Sequence, residues 1–165
     1  MDPLHLVPVE VKLKEGEAFL DGPTLSGPDN PAGRIVEDMR RRNPLQEGKV
    51  APGSAFQIDA YFDAATDDLY QFQVWTDGQV TLDIDGAPIG VADSRDWTCL
   101  PVWLAKGKHR MHASGTAGPK QDLTIRFGGP GCRDIGKRCH NFDAENPSLH
   151  FAHIGPKPSP TAPAK

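Results

Sequence analysis

The chain has 165 residues, a formal net charge of -4, 17 glycines and 16 prolines, with hydrophobic residues at 38% and aromatics at 7%. That length suits one core without metal or dense disulfides, and the turn-rich composition points to many short elements rather than long helices. The acidic balance gives no electrostatic basis for a nucleic-acid partner, and no apolar run approaches the roughly 20 residues of a membrane span.

Val9, Val11 and Leu13 alternate with Glu10, Lys12 and Lys14, which predicts an opening strand with one buried and one wet face. Asp21-Gly22-Pro23, Ser26-Gly27-Pro28 and Asn30-Pro31 then crowd turn formers together and predict an irregular loop. Asn30 as N-cap and Pro31 as first helical residue, followed by Ile35, Val36 and Met39, predict one short helix that stops by Asn43-Pro44. Its basic run Arg40-Arg41-Arg42 reads as a solvated helix end.

The middle of the chain alternates with period two and carries turn signals at sandwich-like intervals. Phe56, Ile58, Ala60 and Phe62 share one face of a strand, Tyr70, Phe72 and Val74 a face of the next, and Val80, Leu82 and Ile84 a face of a third. Asp85-Gly86-Ala87-Pro88 turns the chain into a looser segment through Trp97, followed by strands carrying Val102 and Leu104, His109 to Ala113, and Leu123, Ile125 and Phe127. The fold class expected is all-β, an antiparallel β-sandwich of about eight strands with one short helix.

Beyond Gly128 the pattern breaks. Residues 1-155 are expected to form one domain with its core in 50-128 and a cysteine-containing appendage or final strand in 129-155, ahead of a proline-rich tail or linker at 156-165. Cys132 and Cys139 lie close in a loop-like stretch, where a local disulfide in an oxidising compartment and two reduced thiols are both open readings; Cys99 stands apart. Met1-Asp2-Pro3 lacks the start of a signal peptide, so an extracellular, cell-surface or periplasmic location implies a leader already removed or held on a larger parent.

From Asp68 to Gly86 the chain resembles the centre of the anthrax protective-antigen-type domain, also found in yeast flocculins and inserted in some β-glucosidases. The resemblance rests on Tyr70 and Phe72 in a "Tyr-x-Phe" strand, the acidic turn at Asp77, the strand end Leu82, Ile84, Asp85 and Gly86, and a following "Gly-x-His" at Gly107 and His109. It implies a β-sandwich used for glycan binding, adhesion or packing beside a catalytic domain. Calcium-dependent lectin members carry two adjacent aspartates where this chain has Thr76-Asp77, which weakens a calcium site; Asp77 and Asp85 are the weak candidates for one.

Asp83 and Asp85, two apart on a strand, project to one face and suit sugar hydroxyls or a cation, as does Asp77 in the adjacent loop. Trp75 and Trp103 have the opposite parity to the core residues beside them, so with the loop residue Trp97 they are candidates to stack on a pyranose or anchor a partner. Asp77, Asp83, Asp85, Trp75, Trp97 and Trp103 are therefore the expected ligand-binding set, with no catalytic residues and no required cofactor. Three-residue spacing puts His109 and His112 on opposite faces of a strand, which argues against a zinc site. The expected function is a non-catalytic extracellular module binding glycan or a surface protein; the alternative is a structural docking module within a larger assembly or a multidomain secreted protein.

Overall fold

The computed structural model describes residues 5–8, 10–36, 44–93, 98–128 and 151–158. Among them twelve strands and one short helix follow in order. The N-terminal part holds β1 (His5–Leu6), β2 (Glu17–Asp21), β3 (Thr24–Gly27), β4 (Asn30–Ile35) and α1 (Pro44–Glu47). Then come β5 (Ala55–Ala64), β6 (Asp68–Thr76), β7 (Gln79–Ile84), β8 (Ala87–Ala92), β9 (Thr98–Leu104), β10 (Gly107–Thr116), β11 (Leu123–Gly128) and β12 (Ala152–Pro156).

These strands form a mostly antiparallel sandwich. The smaller sheet runs β1-β9-β6-β11, and the larger runs β2-β12-β5-β10-β7-β8, with β3 also on β5 and β4 on β3. The backbone of the larger sheet is the pairing of β5 with β10, unbroken from Gly107 opposite Ala64 to Thr116 opposite Ala55. Strict alternation fixes its faces: Phe56, Ile58, Ala60 and Phe62 of β5 and His109, Met111 and Ala113 of β10 are buried, while the residues between them face outward. The β7–β8 hairpin closes with Asp85 and Gly86 at φ of 53° and 81°, the two left-handed residues of a two-residue turn.

Four phenylalanines tie the sheets together. Phe62 of β5 meets Phe72 of β6 at 5.4 Å and Phe127 of β11 at 4.9 Å between ring centroids, and Phe151, just before β12, meets Phe127 at 5.2 Å. Tyr70 is also fully buried, and its hydroxyl donates to the Thr66 carbonyl at 3.0 Å and accepts from the Thr66 amide at 3.3 Å, so the β5–β6 turn satisfies the polar atom it buries.

The N-terminal expectations fail for identifiable reasons. The opening strand does not form over its described part: residues 10–14 have no ladder partner and Leu13 is exposed, so alternation alone does not hold them extended. The region expected to be an irregular loop instead holds the last residue of β2, all of β3 and the start of β4. Its turn formers sit at the turns, Gly22-Pro23 between β2 and β3 and Pro28-Asp29 between β3 and β4, and Pro31 is tolerated because β4 is an edge strand. The helix expected from Asn30 is replaced by β4, where Gly33 adopts φ of 86° and Ile35 and Arg34 pair with Thr24 and Leu25. The short helix lies at Pro44–Glu47; Met39 and Arg40 to Arg42 lie outside the described residues. The looser segment after Gly86 begins as strand β8, and the described residues hold twelve strands where about eight are expected, within the all-β sandwich that the pattern predicts.

The aromatic cluster and the exposed N-terminal segment make a paired test. Phe127→Ala is expected to lower the unfolding free energy by about 3–5 kcal/mol in urea titrations, whereas Leu13→Ala should stay within about 0.5 kcal/mol of the parent. Equal losses at the two positions would contradict this placement.

Candidate functional site

The two outer faces of the sandwich differ. On the smaller sheet the outward positions of β6 are closed over: Leu69, Gln71 and Gln73 are buried, Gln73 Nε2 donates to Gln71 Oε1 at 2.8 Å, and Arg126 Nε donates to Gln73 Oε1 at 3.3 Å. On the larger sheet the outward positions stay wet, and the register lines them up in rows across the strands.

One row is neutral. Ser26 of β3 faces Gln57 of β5, Gln57 faces Ser114 of β10, and Ser114 faces Thr81 of β7. Directly opposite side chains in a sheet have Cβ atoms about 5 Å apart, so these hydroxyls and the amide form a continuous band of donors and acceptors. None of the four side chains has a hydrogen bond within the described residues. At this end of the strands the β3–β4 hairpin rises beside the face, and Ser26, Gly27, Pro28, Pro31, Gln57 and Ser114 border an open depression of about 380 Å³.

The next row is charged. Thr24, Asp59, His112 and Asp83 stand side by side on β3, β5, β10 and β7. Asp59 Oδ1 accepts from Arg110 Nη2 at 2.8 Å and lies 2.8 Å from His112 Nδ1, so Nδ1 carries the proton that points at it. Asp83, half-exposed, has no such partner among the described residues. Ser114, His112 and Asp59 are the residue types of a hydrolytic triad, but side chains two apart on a strand stand about 7 Å from each other, and no hydrogen bond joins Ser114 to the ring.

The sequence candidates are dispersed. Asp83 alone belongs to this open face. Asp77 stands in the β6–β7 turn and organises the chain before β11: Oδ2 accepts from the Lys120 amide at 2.6 Å and Oδ1 from the Asp122 amide at 2.9 Å. Asp85 stands at the other end of β7, about 20 Å of strand away, so one calcium ion cannot take both carboxylates. Among the described residues no three His, Cys, Asp or Glu side chains gather in a way that would hold a metal. Trp75 and Trp103 are half-buried on the outer face of the smaller sheet, opposite Thr124 and Leu69. Trp97, Cys132 and Cys139 lie outside the described residues.

The other residues of the open face belong to no motif. Their one signal in the sequence is parity: a core set of Phe56, Ile58, Ala60 and Phe62 assigns Gln57, Asp59 and Tyr61 to the opposite face. Which neighbouring strand supplies the rest of each row is set by tertiary pairing.

No family model matches the chain, and no curated protein matches it. Solved structures similar to it include an anti-sigma factor domain-containing protein, at 13% identity and a TM-score of 0.58 over 87% of this chain and 51% of that one. The PA14 domain of the MpAFP antifreeze protein matches at 14% identity and a TM-score of 0.41, over 89% of this chain and 79% of that one. A subtype-switched Epithelial Adhesin 9 to 1 A domain from Candida glabrata, in complex with beta-lactose, matches at 13% identity and a TM-score of 0.41, over 48% of this chain and 45% of that one. The chain spans about half the length of the adhesin and anti-sigma factor structures. A domain of the protective-antigen type is thus among the structural neighbours, and at these identities the likeness is one of fold, carried by the anti-sigma factor structure.

Asp85 has a role inside the fold. The His109 ring is fully buried and stacked on Phe62, with Nδ1 2.6 Å from Asp85 Oδ2 and Nε2 2.7 Å from the Ala105 carbonyl. A carboxylate and a carbonyl only accept, so both ring nitrogens carry protons and the ring is an imidazolium. Burial opposes that charge, but the hydrogen bonds from Asp85 and Ala105 and the charges of Asp85 and Asp63 outweigh it and raise the His109 pKa above 6.5. A raised folded-state pKa stabilises fully below the unfolded value near 6.5 and is lost as pH climbs through the folded value. His109→Gln is therefore expected to cost about 3–5 kcal/mol in acid-side urea titrations, with the gap to the parent narrowing as pH rises above about 6.5. A gap that widens with pH would show that the ring is neutral.

Proposed function

We propose that this protein is a non-catalytic carbohydrate-binding module of an extracellular or cell-surface protein, and that it takes its ligand on the open face of the larger sheet. The observation that carries this reading is the neutral row of Ser26, Gln57, Ser114 and Thr81, side chains without partners among the described residues, beside an open depression bordered by Pro28 and Pro31. A polyol needs closely spaced groups that both donate and accept, and hydroxyls and a primary amide are the neutral groups that do so. Asp83 adds a carboxylate able to accept from two sugar hydroxyls. Two rigid prolines beside the hollow supply apolar surface for the carbon faces of a sugar.

The spacing on β10 supports binding over hydrolysis. Ser114 has no base within hydrogen-bond reach in this arrangement, and the His112 ring is already oriented towards Asp59. Asp59, Arg110 and His112 beside the hollow are committed to one another, and Asp83 is left as an acceptor, which suits a neutral ligand rich in hydroxyls.

A glycan array, read with and without calcium, tests the reading. Selective signals are expected in both conditions, and the double variant Gln57→Ala, Ser114→Ala should weaken the best of them by about tenfold or more, the loss of two or more hydrogen bonds at about 1 kcal/mol each. Flat signals over all glycans would sink the proposal.

A further inference from the structure

The open face continues beyond the hollow. Along β5 the outward side chains run Gln57, Asp59, Tyr61 and Asp63, and β10 sets Ser114, His112, Arg110 and Lys108 opposite them. From Gln57 to Asp63 this strip covers about 20 Å at the rise of a strand, a length that takes a chain of several sugar units rather than one ring. Its far end is aromatic. Tyr61 and Phe19 of β2, both half-exposed, meet edge to face with ring centroids 5.5 Å apart, and Lys108 Nζ sits 3.9 Å from the Phe19 centroid. These contacts fix the Tyr61 ring while its hydroxyl keeps no hydrogen bond among the described residues. A fixed aromatic with an unused hydroxyl offers stacking area and a polar contact at little entropic cost.

The charges along the strip cancel in place. Arg110 and His112 are both held at Asp59, and Lys108 Nζ lies 2.8 Å from Asp63 Oδ2. Asp83, beside the strip, and Asp21 of β2 are carboxylates without partners among the described residues, so the uncompensated charge here is negative and does not attract sulfate, phosphate or uronate groups.

From this geometry we infer a second subsite: Tyr61 and Phe19 bind a later unit of a neutral linear oligosaccharide whose first unit sits in the hollow at Gln57 and Ser114, with the chain lying along β5 and β10. The inference rests on the carbohydrate-binding reading above and adds to it the ligand's class, length and direction. Sheet-borne side chains two residues apart repeat at a fixed interval, which matches a polymer with a regular repeat better than a branched terminus.

Calorimetric titration with ladders of cello-, xylo-, manno- and chito-oligosaccharides, one to six units long, tests it. For the ladder that binds, affinity is expected to rise with length and level off once the strip is filled, and a sulfated or uronic ladder should not bind. Tyr61→Ala is expected to remove most of the gain with length, several-fold to about tenfold, while leaving the affinity for the shortest binding member unchanged. Amide shifts in the unmutated protein give an independent readout: long ligands should perturb residues 61–63 and 108–110, and short ones only those near 57 and 114. A ladder that binds with no dependence on length, or a Tyr61→Ala loss equal for short and long members, would overturn the second subsite and leave the carbohydrate reading standing. No binding to any ladder, together with flat arrays, would remove both.

Discussion

The register between Ala55–Ala64 and Gly107–Thr116 sets both faces of the larger sheet at once. Ten consecutive pairs place Phe56, Ile58 and Phe62 beside Met111 and Ala113 on the inside and Gln57, Asp59 and Tyr61 beside Arg110, His112 and Ser114 on the outside. A slip of one residue would exchange the two sets, burying the Gln57 carboxamide and the Asp59 carboxylate and exposing two phenylalanines. Burial of the apolar side chains, at about 25 cal/mol per Å², therefore holds the outer polar rows in place as well. His109 reinforces the register, since its imidazolium reaches Asp85 in the β7–β8 turn only with β10 seated correctly against β7. Separating the members of a buried ion pair leaves a costly unpaired charge, so the pair disfavours registers that part them.

The asymmetry between the sheets follows from what their outer faces carry. Residues on β6 are buried on both sides, and its outward Gln71 and Gln73 satisfy one another and Arg126. Buried amides left without partners would each cost roughly 1–3 kcal/mol, so a closed polar network is the condition for covering that face at all. The outer side of β5 and β10 has half-exposed hydroxyls and an exposed amide whose hydrogen-bonding capacity is met by solvent. A ligand that offers hydroxyls exchanges those water contacts at little cost, whereas an apolar partner would strand them.

Legibility in the sequence divides along the same line. The strands from Ala55 to Ile84 were readable because Phe56, Ile58, Tyr70, Phe72, Leu82 and Ile84 alternate cleanly and Asp85-Gly86 announces its turn, whereas β8, with Pro88 and Gly90, read as a looser segment. The N-terminal third was misread because Gly22, Pro23, Pro28 and Pro31 look like an unstructured loop when their partners are unknown; with β5 beside them they become the corners and edge of a sheet. The aspartates with the strongest local motif, Asp77 and Asp85, stand in turns and accept from backbone amides, those of Lys120 and Asp122 for Asp77 and that of Arg110 on β10 for Asp85. A turn aspartate and a ligand-binding aspartate share a local signature, because both need a short acceptor beside tight backbone. Asp83 was legible through its parity, while its neighbours in the row come from strands far apart in sequence and no local pattern records them.

The proposed recognition face lies on paired strands instead of loops, which has an energetic consequence. The side chains of Gln57, Asp59 and Tyr61 project from a backbone fixed by ladder bonds on both edges, to β10 on one side and to β3 and β12 on the other. Little backbone order is left to lose on the proposed binding of a ligand, which lowers the entropic cost of that binding. Because inward and outward residues alternate, the outer rows are free to change without touching the aromatic cluster of Phe62, Phe72 and Phe127. The sandwich thus separates the side chains that hold the fold from the outward side chains of the proposed binding face, and that separation is written in the parity of β5 and β10.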